Sequence, residues 1–228
     1  MVGKSFRDSK QQSASTRKST CQPLLPESRF RLTTSQREEI MTDILPNGAW
    51  NTADKQAHQF DSKLANALAA FLEHRSVIDF GCGAGGYVHK LSERADCRGY
   101  DGNPQTPNIT AGQCECLDIS QPVQVHPADW VLCLEVAEHL PPQFEETLLS
   151  NLDRHALQGI ILSWAHPGQG GVGHVNERSP EYVHQRMVDL GYRLDEESSQ
   201  LIRSLSRLRW FRSNLMVFRK CSNTVTAN

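Results

Sequence analysis

A chain of 228 residues that is 38% hydrophobic can bury the core of one α/β domain with a tail beside it, but two full domains would be a squeeze. A net charge of −2 argues against bulk nucleic-acid binding through a global basic excess, and no apolar run approaches the roughly 18 residues of a membrane helix. The seven cysteines, at 21, 82, 97, 114, 116, 133 and 221, include no Cys-x-x-Cys pair, so free thiols in a reducing compartment are expected rather than a zinc ribbon or a disulfide framework.

Residues 1–45 are polar, basic before Glu27, and poor in apolar periodicity, which reads as a disordered tail. The same composition fits an organelle import segment, although the apolar core of a secretory signal is missing. A cytoplasmic location is expected, with organelle import as the alternative. The folded domain is expected over 46–222, with 223–228 a second short disordered end. Pro46-Asn47-Gly48 marks a turn, and Phe60, Leu64, Leu68, Phe71 and Leu72 at near-helical spacing predict a helix over 53–73. A strand is expected over 77–80, a helix over 86–93, and strands over 97–100 and 114–117. An apolar run predicts a strand over 128–135, followed by a helix over 142–152 and a strand over 159–164. Ser179-Pro180-Glu181 is a helix start, and Gly191 its stop. The last strands are expected over 192–194 and 215–218. Strands alternating with helices predict an α/β fold with a doubly wound, mainly parallel sheet and helices on both faces.

The densest signal is residues 76–86, Ser-Val-Ile-Asp-Phe-Gly-Cys-Gly-Ala-Gly-Gly, where a strand meets a glycine turn ahead of a helix. Such a turn lets backbone N–H groups approach a nucleotide closely. Ligands of open parallel sheets bind at the carboxyl ends of the strands, and here four successive strands each offer an acid near that end: Asp79, Asp101, Asp118 and Glu135. Asp101 lies 20 residues after Gly81 and can accept from both ribose hydroxyls of an adenosyl ligand. Asp118 can accept from the adenine amino group, with Ile119 against the ring. Asp79 sits beneath the turn and can orient it. A pocket so rich in acid suits a cationic sulfonium and repels a pyrophosphate. Gly81-x-Gly83-x-x-Gly86 with Asp101 also satisfies the dinucleotide fingerprint, so an NAD-dependent oxidoreductase stands as the competing reading.

Taken together, Val77–Gly85, Gly99–Asn103, Leu117-Asp118 and Leu134–Pro141 resemble, in order and spacing, the class I S-adenosylmethionine-dependent methyltransferases over residues 55–220. The resemblance implies a seven-stranded sheet of order 3-2-1-4-5-7-6 with the last strand antiparallel. It also implies cofactor contacts at Gly81, Cys82, Gly83, Gly85, Asp101, Gly102, Asp118 and Glu135. A small-molecule acceptor methylated on oxygen or nitrogen is the first expectation. An RNA or protein acceptor, or a non-catalytic S-adenosylmethionine-binding module, is the alternative.

His139 and His174 are the candidate catalytic bases, His174 from a loop after the fifth strand that holds four glycines between residues 168 and 173. Glu135-x-x-Glu138-His139 is similar to the metal-binding segment of ubiquinone-pathway and small-RNA methyltransferases. That likeness implies Glu135, Glu138, His139 and His174 as ligands for a divalent metal. The same spacing is common in metal-free relatives, where His139 packs over the cofactor or helps the substrate, so both readings stand here. His58 is either part of a cofactor lid or solvent-facing. Arg203, Arg207, Arg209 and Arg212, interleaved with Trp210 and Phe211, read as an exposed hairpin edge or as a contact for an anionic acceptor or RNA. The sequence points to no membrane partner and leaves the oligomeric state open.

Overall fold

The computed structural model describes residues 44–54 and 58–221. The expected tail up to residue 43 and the expected disordered end at 223–228 lie outside the described residues. Seven strands form one sheet of order β3-β2-β1-β4-β5-β7-β6. They are β1 (Ser76–Phe80), β2 (Asp96–Asp101), β3 (Cys114–Cys116), β4 (Ala128–Leu134), β5 (Ala156–Ser163), β6 (Tyr192–Leu194) and β7 (Leu215–Lys220). β7 runs antiparallel to both of its neighbours, and the other pairs are parallel. The chain winds outward from β1 to β3 and then restarts beside β1 with β4, so the β1–β4 pair is the switch point where such sheets open a crevice at their carboxyl edge.

The strands are apolar on both faces because helices cover both. Val77, Trp130, Leu132, Ile161 and Val217 pack on one side with Leu64 and Leu68 of α1 (Ser62–Phe71) and Ile202. Their neighbours Ile78, Val131, Cys133, Ile160 and Phe218 face the other side, against Leu148 and Leu152 of α4 (Glu145–His155) and Met187 of α5 (Pro180–Asp189). This is strand alternation, and each fully buried leucine contributes roughly 2 kcal/mol. Between these elements lie α2 (Gly86–Leu91), which follows the glycine turn, and the short α3 (Thr106–Ile109).

Two stretches differ from expectation. The first helix starts at Ser62 rather than at residue 53, because the Asp61 side chain accepts the backbone N–H groups of Lys63 and Leu64, each at 3.0 Å, and so caps it. The arginine-rich segment is not a hairpin edge. It comprises α6 (Glu196–Leu205), a turn, and α7 (Phe211–Asn214) leading into β7. Arg203 Nε donates to the Leu215 carbonyl and Arg212 Nε to the Ser206 carbonyl, both at 2.7 Å, so these two side chains brace the turn. The sequence reading missed α6, whose apolar residues Leu201, Ile202 and Leu205 include only one buried side chain, Ile202. Among the described residues no helix is long and apolar enough to cross a membrane.

Candidate functional site

The glycine turn sits at the carboxyl end of β1, beside the switch point. The N–H groups of Gly81 and Cys82 both donate to the Tyr100 carbonyl, at 2.7 and 3.1 Å, which ties the turn to β2. Gly83 has φ +54°, and a Cβ there would lie 2.6 Å from His58 Nδ1, so only glycine fits. Its N–H donates to Asp101 Oδ2 at 2.8 Å, while Asp101 Oδ1 accepts from Asn103 N–H at 2.8 Å. Asp101, at the carboxyl end of β2, therefore braces the turn, and each of its oxygens retains a second lone pair. Gly85 takes φ +76° and caps α2. Asp79 lies beneath, 2% exposed, with Oδ2 unpartnered among the described residues. Burial, with Cys114 and Asp101 nearby, raises its pKa well above the carboxylate range, so it stands there as a neutral acid rather than a charge.

Glu135 follows β4 directly, with φ +53°, a left-handed conformation uncommon outside glycine. A ring of side chains holds it. Its N–H donates to Ser163 Oγ at 2.8 Å. Its carboxylate accepts from Ser163 Oγ at 2.9 Å, Gln169 Nε2 at 2.9 Å and Asn214 Nδ2 at 2.7 Å. Glu138 is fully buried, and neither carboxyl oxygen has a hydrogen-bond partner among the described residues. Burial and then the Glu135 charge raise its pKa well above the usual range. The His139 and His174 rings meet edge to face at 4.9 Å. Burial first, then His174, pushes His139 down to about 4 against an opposing contribution from the Gly173 backbone, so it is a neutral imidazole at pH 7, and Nδ1 has no hydrogen-bond partner within normal geometry among the described residues. Glu138, His139 and His174 each offer a ligand atom, all within 4.8 Å of one another, and Glu135 is not in that group.

The loop that carries His174 is anchored at several points. Val175 and Asn176 N–H groups donate to the Glu138 carbonyl, at 2.8 and 3.0 Å, and Trp164 Nε1 donates to the Asn176 carbonyl at 2.6 Å. Glu177 accepts the N–H groups of Gly168 and Gly170, both at 2.9 Å, and lies 3.1 Å from His174 Nδ1. Glu145, 4% exposed at the start of α4, accepts from Asn176 Nδ2 and Arg178 and takes a short hydrogen bond from Tyr182 Oη. The loop is thus seated on the fold, not a loose connector.

A strap over residues 44–52 crosses the same edge. Ile44 bridges Trp50, and the Leu45–Gly48 turn rests on the His139 carbonyl. Ala49 packs against Gly102, and the Thr52 carbonyl accepts Asn103 Nδ2 at 2.7 Å. Trp50 stands 6.0 Å from His139 and 6.3 Å from His58, ring centre to ring centre. His58 is thereby placed on the glycine turn, and burial lowers its pKa.

Asp118 caps its own turn by accepting Ser120 N–H at 3.0 Å, and Ile119 is 5% exposed within the core. The structure gives neither a contact with the other candidates. Glu177, Gln169, Asn214 and Trp50 went unseen in the sequence. Gln169, Asn214 and Trp50 meet the site through long-range contacts, and Glu177 binds backbone N–H groups of its own loop, so no side-chain motif marks any of them.

No protein-family model and no curated protein sequence matches the chain. Solved structures do. An amino pentose methyltransferase from Micromonospora echinaspora with bound S-adenosylmethionine superposes with a TM-score of 0.56 at 13% identity, over 73% of this chain and 93% of its own. Magnesium protoporphyrin IX methyltransferase from Synechocystis with bound S-adenosylhomocysteine gives 0.53 at 16%, over 83% and 89%. A TehB-like S-adenosylmethionine-dependent methyltransferase from Corynebacterium glutamicum gives 0.52 at 18%, over 73% and 91%. Likeness at such identities speaks for the backbone, and it agrees with the strand order and the single antiparallel strand: the chain has the fold of the class I S-adenosylmethionine-dependent methyltransferases.

Proposed function

We propose that this protein is an S-adenosylmethionine-dependent methyltransferase acting on an oxygen or nitrogen of a small-molecule acceptor. The observation that carries the reading is the Gly83–Asp101 hydrogen bond, which joins the glycine turn to the acid at the end of β2 in the crevice of this fold. The donor set fits a cationic adenosyl ligand, because the carboxyl groups of Asp101 and Glu135 stand at the carboxyl ends of β2 and β4, where a pyrophosphate would need cations. S-adenosylmethionine, when bound, supplies a methyl group already activated by its sulfonium. What remains for the protein is alignment, exclusion of water and acceptance of one proton. Asp101 and the turn hold the ribose and the methionine side. The strap and the 165–178 loop cover the edge. His139, neutral and unpartnered at Nδ1, takes the acceptor's proton.

His139→Ala is expected to lower kcat by a factor of about 10² to 10⁴ while donor affinity stays close to wild type. A screen of hydroxyl- and amine-bearing metabolites with radiolabelled donor finds the acceptor and then reads this variant. Full turnover by His139→Ala would remove the histidine from the proposal.

The three donor atoms of Glu138, His139 and His174 favour one second reading, in which they hold a divalent cation. The unpartnered carboxyl of Glu138 fits it, and a bound cation there would supply Lewis-acid lowering of an acceptor hydroxyl's pKa. Calorimetric titration with Mn²⁺ should then show a saturable site that Glu138→Gln abolishes. No heat with Mn²⁺, Mg²⁺ or Zn²⁺, and turnover indifferent to chelator, would dismiss the cation and leave His139 as the base.

A further inference from the structure

Beneath the glycine turn lies a thiol pair that methyl transfer does not use. Cys82 sits inside the turn, between Gly81 and Gly83, and Cys114 opens β3. Both are reduced and nearly buried, at 6% and 1% exposure. The strand between them is β2, and at its crossing point it carries Gly99. A Cβ on Gly99 would lie 2.7 Å from Cys114 Sγ and 3.1 Å from Cys82 Cβ. The absent side chain is therefore what lets the two cysteines meet across β2. They do meet: Cys82, Cys114 and Val88 pack together as one small buried cluster. Gly85 closes the pocket from above, its Cβ position 3.3 Å from Cys114 Sγ.

We propose that Cys82 and Cys114 form a reversible disulfide under peroxide, and that the bond switches off the glycine turn as a cofactor site. The Cys114 sulfur attacks a peroxide oxygen, breaking the O–O bond and forming a sulfenic acid, and the displaced hydroxide takes the Cys114 proton and leaves as water. The Cys82 sulfur then displaces the sulfenic oxygen, which leaves as water with the Cys82 proton. The sum is two thiols and one hydrogen peroxide giving one disulfide and two waters, with two electrons passing from sulfur to peroxide. The Cys82 neighbour first, then Thr110, lowers the Cys114 pKa while that of Cys82 is raised, which favours Cys114 as the first sulfur to react; the disulfide is the same in either order. Closing the bond sets the two sulfurs about 2.05 Å apart. That draws Cys82 toward β3 and drags the adjoining Gly83 N–H away from Asp101 Oδ2. The consequence for binding rests on the S-adenosylmethionine reading; formation of the disulfide does not.

The test treats the full chain with graded hydrogen peroxide and follows two independent readouts. Peptide mapping should find a Cys82–Cys114 cross-link, lighter by two hydrogens and reversed by dithiothreitol. Cys97→Ser and Cys116→Ser should keep it and Cys114→Ser lose it. Titration of the treated chain with S-adenosylmethionine should show at least about a tenfold loss of affinity, regained with reductant and absent in Cys114→Ser, and saturating donor beforehand should slow the cross-link. No cross-link, or one through Cys97 instead, would overturn the proposal at its first step. A Cys82–Cys114 cross-link with unchanged donor affinity would overturn the switch. Failure of the untreated, reduced chain to bind donor would instead strike the functional reading, with the peptide map still deciding the thiol chemistry.

Discussion

Replacing Asp101 by alanine is expected to weaken S-adenosylmethionine binding about a hundredfold. The carboxylate does two things at once. It accepts Gly83 and Asn103 N–H groups at 2.8 Å each, and it stands at the carboxyl end of β2, where the ribose hydroxyls lie in the proposed complex. A hydrogen bond to a charged group contributes about 1.5–3 kcal/mol, and 1.4 kcal/mol is a factor of ten, so loss of the ligand contact and of the brace together approaches two decades. Asp101→Asn separates the two effects. The amide keeps one oxygen and can still accept from one backbone N–H, but it places a donor where the other is needed, so a loss of about tenfold is expected. Calorimetry with the donor reads both variants, and circular dichroism confirms that they are folded. Near-wild-type binding by Asp101→Ala would remove this residue from the cofactor site.

The second large effect is on stability. Asp61 Oδ1 caps α1, and its Oδ2 accepts Ser206 Oγ at 2.7 Å, Arg207 N–H at 2.5 Å and Leu208 N–H at 2.9 Å, stapling the first helix to the turn after α6. Loss of a cap costs about 1 kcal/mol, and stranding the further donors adds more, so Asp61→Ala should destabilise the fold by about 3 kcal/mol and lower Tm by roughly 9 °C. Asp61→Asn should be nearly as damaging, because its NH₂ would confront backbone donors that cannot turn away. Burial pushes the Asp61 pKa up, but the hydrogen bonds from Leu64, Ser206, Leu208 and Arg207 outweigh it and leave it below the ordinary value. The stabilisation is therefore complete above the unfolded pKa of about 3.9 and fades as pH falls through the lower folded value. Denaturation from pH 7 down to pH 3 should show the gap between wild type and Asp61→Ala narrowing only at the acid end. A gap that stays constant would mean the carboxylate's charge is not what the turn requires.

The strands and the glycine turn were legible in the sequence because their signals are local. An apolar run ending in an acid, followed by Gly81-x-Gly83, needs nothing from elsewhere in the chain to be recognised. The seven-strand order came from family resemblance, and the strand order observed agrees with it. What stayed hidden depends on contacts across the chain. Asp61 looked like an interior helix residue, and its role as a boundary became visible only through Ser206, far along the sequence. Trp50 belongs to none of the elements or motifs expected from the sequence, and the strap sets it beside His139. Glu177 carried no motif, because what it holds is backbone N–H groups exposed by the glycines of its own loop. The metal segment shows the reverse case. Its spacing named four residues, yet the backbone turn at Glu135 gives that side chain to Ser163, Gln169 and Asn214 and leaves three donors together.

Calorimetric titration of the reduced full chain with S-adenosylmethionine, S-adenosylhomocysteine and NAD addresses the central claim most directly. A single saturable site for both adenosyl ligands, weakened about a hundredfold in Asp101→Ala, with no heat from NAD, is the predicted result. Saturable binding of NAD with none of either adenosyl ligand would contradict it and turn the glycine turn back into a dinucleotide site.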